Sequence, residues 1–162
     1  MNTKDQDGQL AILLDKEAVR DVIFTTARLL DEDDMAGWLN QLSDDGVYEV
    51  TAFGPEIKSD MVWWRSNRVE LVKILSEVEG HIRDAGIRRH LVTPISITFH
   101  RLRADALSHF SIIRTTPDGD SGVYAAGRYE DKLINEDGKW KYALHKAVLD
   151  TRMFEMFTHV PL

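Results

Sequence analysis

The chain of 162 residues contains no cysteine. That absence removes disulfide frameworks, thiolate zinc sites, cysteine nucleophiles and every iron–sulfur cluster built on cysteine ligands. Long hydrophobic runs are missing as well. The longest wholly apolar stretches, such as Leu10 to Leu14, hold only a few residues, against roughly 18 or more for a membrane span. Met1-Asn2-Thr3-Lys4-Asp5-Gln6-Asp7-Gly8 is polar and acidic and lacks the basic region and apolar core of a secretory signal, so cytoplasmic residence is expected. Positive charge is scarce: 20 Lys and Arg against 27 Asp and Glu give a net charge of −7, which offers no general field for nucleic acid or an anionic membrane. The glycines form neither Gly-x-Gly-x-x-Gly nor a phosphate-binding loop, and there is no Gly-x-Ser-x-Gly. Nucleotide-dependent and serine-hydrolase chemistry are therefore unsupported.

What is present is 43% hydrophobic and 29% charged residues, the make-up of a folded globular chain, and the length suits one domain over 1–162 with a flexible N-terminal arm at 1–14. Val19, Val22, Ile23, Ala27 and Leu30 recur at spacings of three and four, which predicts a helix from Asp15 to Leu30. Asp31-Glu32-Asp33-Asp34 breaks it and starts a short second helix carrying Met35, Trp38, Leu39 and Leu42. Ser43-Asp44-Asp45-Gly46 reads as a turn, Val47 to Thr51 as a strand, and Ala52 to Asp60 as a loop. A third helix is predicted within Arg65 to Asp84 from Leu71, Leu75, Val78 and Ile82, ending near Gly86. The period then changes to two: Ile95 to Phe99, Ala104 to Thr115, Val123 to Ile134 and Lys139 to Asp150 read as strands, separated by turn signals at 116–122 and 135–138. Helices followed by four or five strands predict an α+β architecture, with the helices on one face of a curved antiparallel sheet that forms a cone. Tyr124, Tyr129, Trp140 and Tyr142 either offer amphipathic area on the outer face to a partner subunit or pack inside.

The six histidines, His81, His90, His100, His109, His145 and His159, form no His-x-His, His-x-x-x-His or His-Glu-x-x-His pair, so spacing suggests no metal site. Acid–base chemistry is the more credible internal option. His90 or His109 facing the cone, beside Asp31, Asp33 or Asp34 and Tyr48, would move a proton near working pH; the bland reading makes these core or interface histidines beside a solvated acidic junction. Trp63-Trp64, placed at a helix start, would send one ring into the core and the other to a pocket mouth or interface.

Several strings taken in order carry a resemblance: Leu29-Leu30-Asp31-Glu32-Asp33-Asp34 with Trp38-Leu39, Asp44-Asp45-Gly46-Val47-Tyr48, Arg88-Arg89-His90-Leu91-Val92, Ala126-Gly127-Arg128-Tyr129-Glu130-Asp131-Lys132-Leu133, Gly138-Lys139-Trp140-Lys141, Val148-Leu149-Asp150 and Val160-Pro161-Leu162. From about Glu17 to Leu162 the chain resembles the small, or β, subunit of bacterial Rieske-type aromatic-ring-hydroxylating dioxygenases. It departs from the family pattern at Thr93-Pro94 and at Trp63-Trp64-Arg65-Ser66-Asn67. The resemblance implies the cone-shaped α+β fold of ketosteroid isomerase, scytalone dehydratase and nuclear transport factor 2. It implies a homotrimer supporting three large subunits in an α3β3 complex, with no cofactor, no metal and no catalytic residue expected in this chain. The large subunit would carry the Rieske cluster and the mononuclear iron, supplied with electrons from NAD(P)H. Without cysteine, this chain cannot itself ligate that cluster. Arg128, Tyr129, Asp131, Trp140 and Asp150 are the residues expected to hold the strands and the subunit contacts together. The alternatives are a stand-alone isomerase or dehydratase using His90 or His109 with Asp31 and Tyr48, and a noncatalytic binding or scaffold domain of the same fold.

Overall fold

In the computed structural model, which describes residues 3–78, 84–152 and 160–162, the helical periodicity near the N-terminus becomes α1 (Thr3–Asp31). Val19, Ile23, Thr26 and Leu30 make its buried stripe, at i, i+4, i+7 and i+11. The helix begins well before Asp15, so the stretch expected as an arm is helical from Thr3, although Gln6 to Leu14 remain exposed. The acidic run does break the helix: Asp33 takes φ 59°, and Asp34 caps α2 (Met35–Leu39) by accepting a hydrogen bond of 2.8 Å from the Gly37 N–H.

Six strands follow or flank the helices: β1 (Leu42–Gly54), β2 (Ser59–Asn67), β3 (Ile87–His100), β4 (Arg103–Thr115), β5 (Ser121–Glu136) and β6 (Lys139–Leu149), with α3 (Arg68–Val78) between β2 and β3. They form one sheet in the order β2-β1-β6-β5-β4-β3. Every pairing is antiparallel except β1 with β6, so the sheet is mixed rather than purely antiparallel. The β5–β6 hairpin turns on Asp137 and Gly138, both at positive φ as a two-residue connection requires. Pro94 stands in the edge strand β3, at a register shift, where a missing N–H is tolerated.

Three expectations are corrected here. Residues 43–46 are not a turn: they lie in β1, where Gly46 allows the strand to approach the Tyr142 carbonyl, 2.9 Å from where a Cβ would stand. The predicted loop at 52–60 is largely a hairpin, closed by the Ile57 N–H donating to the Gly54 carbonyl. Trp63 and Trp64 sit on β2 rather than on a helix, so they diverge by half a turn; Trp63 is exposed while Trp64 packs on the core. The third helix starts later, with Asn67 and Glu70 exchanging hydrogen bonds of 3.0 and 2.9 Å as a capping box. Its core residues Leu71 and Leu75 are those the spacing indicates. Ile82 lies outside the described residues.

The core gathers between the helices and the inner face of the sheet, around Trp38, Tyr48, Leu71, Ile112, Leu133, Tyr142 and Leu162. Tyr124, Tyr129, Trp140 and Tyr142 all point inward and are nearly inaccessible, so they do not supply an outer docking surface. Among the described residues no helix is long and apolar enough to cross a membrane.

Candidate functional site

The period of two along β5 divides its best-marked segment between two faces. Gly127, Tyr129, Asp131 and Leu133 are buried, while Ala126, Arg128 and Glu130 are only half-buried and Lys132 is exposed. Asp131 is thus a carboxylate in an apolar phase. On β6, His145 meets it: Nδ1 stands 2.8 Å from Asp131 Oδ1, and both side chains are at most 2% exposed. Tyr142, Tyr129 and Tyr48 surround the imidazole at ring-centroid distances of 4.6, 4.8 and 5.8 Å. Burial pushes the Asp131 carboxyl up, against the opposing pull of His145. It also pushes all three phenols up, so they remain protonated hydrogen-bond donors. The Tyr48 oxygen accepts from the Leu162 N–H at 2.8 Å, anchoring Leu162 in the core.

A second histidine–carboxylate pair lies where α1 ends. Asp31 Oδ1 accepts from the His90 N–H at 2.9 Å and stands 2.7 Å from His90 Nδ1. The pair lines an open cleft of about 490 Å³ with Phe24, Ala27, Arg28, Leu91, Val92 and Thr93. The structure therefore brings together His90 and Asp31 from the sequence candidates, but not the other two. Tyr48 lies on β1 against His145, with its ring edge-on to Trp38 and Trp64. His109 is exposed on the outer face, opposite Thr93 and Arg128, because Ser108 and Phe110 on either side of it take the inward positions of β4. Asp34 is spent on the α2 cap. His100 is exposed, 3.3 Å from Asp105; His81 and His159 lie outside the described residues. Among the described residues no three His, Asp or Glu side chains gather as a metal-binding group.

The five expected assembly residues divide in the same way. Arg128 is on the outer face, where its Nε donates to Glu130 at 2.8 Å. Lys146 lies 3.7 Å from both Glu130 and Glu49, and Glu49 pairs with Arg65, so alternating charges run across β5, β6, β1 and β2. Asp150 is exposed, with its N–H bonded to the Ala126 carbonyl. Tyr129 and Asp131 face inward, and Trp140 is buried with its Nε1 donating to Asp15 at 3.1 Å. Strand alternation turns these three toward the chain's own interior. The Asp131–His145 pair was missed in the sequence, though its signal was there: Asp131 shares the parity of Tyr129 and Leu133.

The sequence model of the SnoaL-like domain matches residues 11–145. The chain belongs to the SnoaL-like domain family. Among curated relatives of this SnoaL-like chain, the β subunit of 2-aminobenzenesulfonate 2,3-dioxygenase from Alcaligenes sp. is 28% identical, covering 92% of this chain and 100% of the relative. The β subunit of the methanesulfonate monooxygenase hydroxylase from Methylosulfonomonas methylovora is 25% identical over 90% of this chain and 86% of its own length. The small subunit of anthranilate 1,2-dioxygenase from Burkholderia cepacia is 23% identical over 82% and 85%. Among solved structures, a Novosphingobium aromaticivorans chain assigned as the β subunit of an aromatic-ring-hydroxylating dioxygenase superposes with a TM-score of 0.79, at 20% identity, covering 88% of this chain and 94% of that one. An NTF2-like protein of cystatin-like fold from the same organism gives 0.69, at 18% identity, over 94% and 92%. The SnoaL-like chain thus has the NTF2-like, cystatin-like fold, with its six-stranded sheet not closed into a barrel, and it is similar to β subunits of ring-hydroxylating dioxygenases.

Proposed function

We propose that this chain is the small, noncatalytic β subunit of a multicomponent aromatic-ring-hydroxylating dioxygenase of the cytoplasm, working in the breakdown of aromatic compounds. The observation that carries this reading is the likeness to a dioxygenase β subunit along 100% of that relative's length. Three copies would form the base of an α3β3 complex, with Arg128 and Asp150 on the surfaces that meet other chains. The Rieske cluster and the mononuclear iron would belong to the large subunit. The substrate would be a small organic acid, since relatives are named for an aminobenzenesulfonate, an anthranilate and a terephthalate. Co-expression with the neighbouring large-subunit gene tests the proposal: a large brown iron–sulfur complex containing this chain is expected. A colourless chain that purifies alone, with no such gene beside its own, would overturn it.

One observation favours a second reading. His90 and Asp31 stand 2.7 Å apart beside an open cleft, an arrangement suited to general acid–base work by a stand-alone isomerase or dehydratase. Turnover of a small cyclic ketone or alcohol by the lone chain, abolished by His90→Ala, would decide for that enzyme.

A further inference from the structure

Four polar atoms on the inner wall of the sheet are shielded from solvent and have no hydrogen-bond partner among the described residues: Ser108 Oγ, Tyr129 OH, Asp131 Oδ2 and His145 Nε2. They belong to one neighbourhood. Ser108 and Tyr129 oppose each other across β4 and β5, and Asp131 is two residues further along the same face. His145 bonds Asp131, and its ring lies 4.8 Å from that of Tyr129. An unmet buried polar group costs about 1–3 kcal/mol, and native interiors keep few of them, so four together point to a partner that the fold is built to receive.

The donors and acceptors define that partner. The Tyr129 hydroxyl, kept protonated by burial, donates, and Asp131 Oδ2 accepts. When His145 Nδ1 donates to Asp131, Nε2 is an acceptor, and Ser108 serves either way. A single oxygen that both accepts and donates, a hydroxyl, accepts from Tyr129 and donates to either His145 Nε2 or Asp131 Oδ2, with Ser108 taking the remaining role; water, with two protons, can donate twice. An anion would face Asp131, and Asp31 also acts on Tyr129. A cation would find only a carboxylate already paired with His145 and would lose its hydration among the rings of Phe110, Tyr129 and Tyr142. The guest is therefore neutral, unlike the acids for which the relatives are named.

We propose that Ser108, Tyr129, Asp131 and His145 form a binding site for a neutral hydroxyl group, carried by ordered water or by a small alcohol or phenol. The site does not depend on the subunit reading above, and its test leaves that reading untouched. Crystals of the full chain, grown alone and soaked in phenol, are expected to show an oxygen atom within about 2.6–3.2 Å of both the Tyr129 hydroxyl and His145 Nε2. An oxygen carrying ring density identifies the organic guest, and an isolated oxygen identifies water; either meets the proposal. An interior with no oxygen at that position in either crystal overturns it. If phenol binds, Tyr129→Phe and Ser108→Ala, which keep the side-chain volume nearly unchanged, are each expected to weaken it about tenfold by calorimetry, the loss of one hydrogen bond. Unchanged affinity in both variants overturns the site.

Discussion

Gly127 shows how much one residue can determine. A Cβ built there would lie 2.1 Å from the Val148 carbonyl oxygen on the neighbouring strand, and that oxygen is backbone. No side-chain rotation relieves such a contact, so β5 and β6 would have to separate where Gly127 faces Leu149. Gly127→Ala is expected to destabilise the chain by about 1–3 kcal/mol in urea denaturation. Asp84 determines less but reports more. Arg114 donates to both of its carboxylate oxygens at 2.6 Å, and the Gly86 N–H donates at 2.9 Å. The Arg114 hydrogen bonds come first among the causes that hold its pKa down, from the usual 3.8 to about 2. Because the folded value lies below the unfolded one, the stabilisation is complete above about pH 4 and disappears as pH falls toward 2. Asp84→Asn should therefore lose about 1.5–3 kcal/mol at neutral pH and show a flatter stability profile between pH 4 and 2. A profile in that window as steep as that of the native chain would contradict this account.

At the level of elements, the sequence was most readable where one periodicity ran long. The stripe Val19, Ile23 and Leu30, the Leu71–Leu75 pair and the alternation along β4 all appear in the structure with the faces their spacing indicates. It was least readable where local chemistry and tertiary context pull apart. Ser43-Asp44-Asp45-Gly46 has turn residues and lies within β1, where it spans the register shift between Leu42 opposite Tyr142 and Val47 opposite Leu144. Trp63-Trp64 fits either a helix or a strand by composition; pairing with β1 decides for the strand, from Val47 opposite Asn67 onward. The candidate site was half legible for the same reason. Asp31 and His90 are separated by 59 positions in the chain and meet at 2.7 Å, whereas His109 fails because the period of two that turns Ser108 and Phe110 inward turns it outward. Helix α3 offers the test at this scale. Its capping box depends on Asn67, the last residue of β2, so Asn67→Ala should cost about 1 kcal/mol. The loss should appear as faster amide hydrogen exchange in the first turn of α3 and leave β4 and β5 protected.

For the whole molecule, the division between inner and outer faces decides what a surface substitution can do. Arg65, Glu49, Lys146, Glu130 and Arg128 alternate in charge across four strands of the outer face. The Arg128–Glu130 pair is about two-fifths exposed on both sides, at 43% and 40%, and pairs of that exposure contribute only about 0–1 kcal/mol to folding. In a subunit interface the same guanidinium would be desolvated, where a charge left without its partner is far more costly. Arg128→Ala should therefore change the unfolding midpoint of the isolated chain very little while weakening the proposed trimer, or the proposed complex with a large subunit, at least tenfold. Native mass spectrometry at matched concentrations and salt separates the two effects. Normal assembly by the variant would remove Arg128 from the interface. Loss of assembly together with a large loss of folding stability would place its action within the chain's own fold, the side to which Tyr129, Asp131 and Trp140 face.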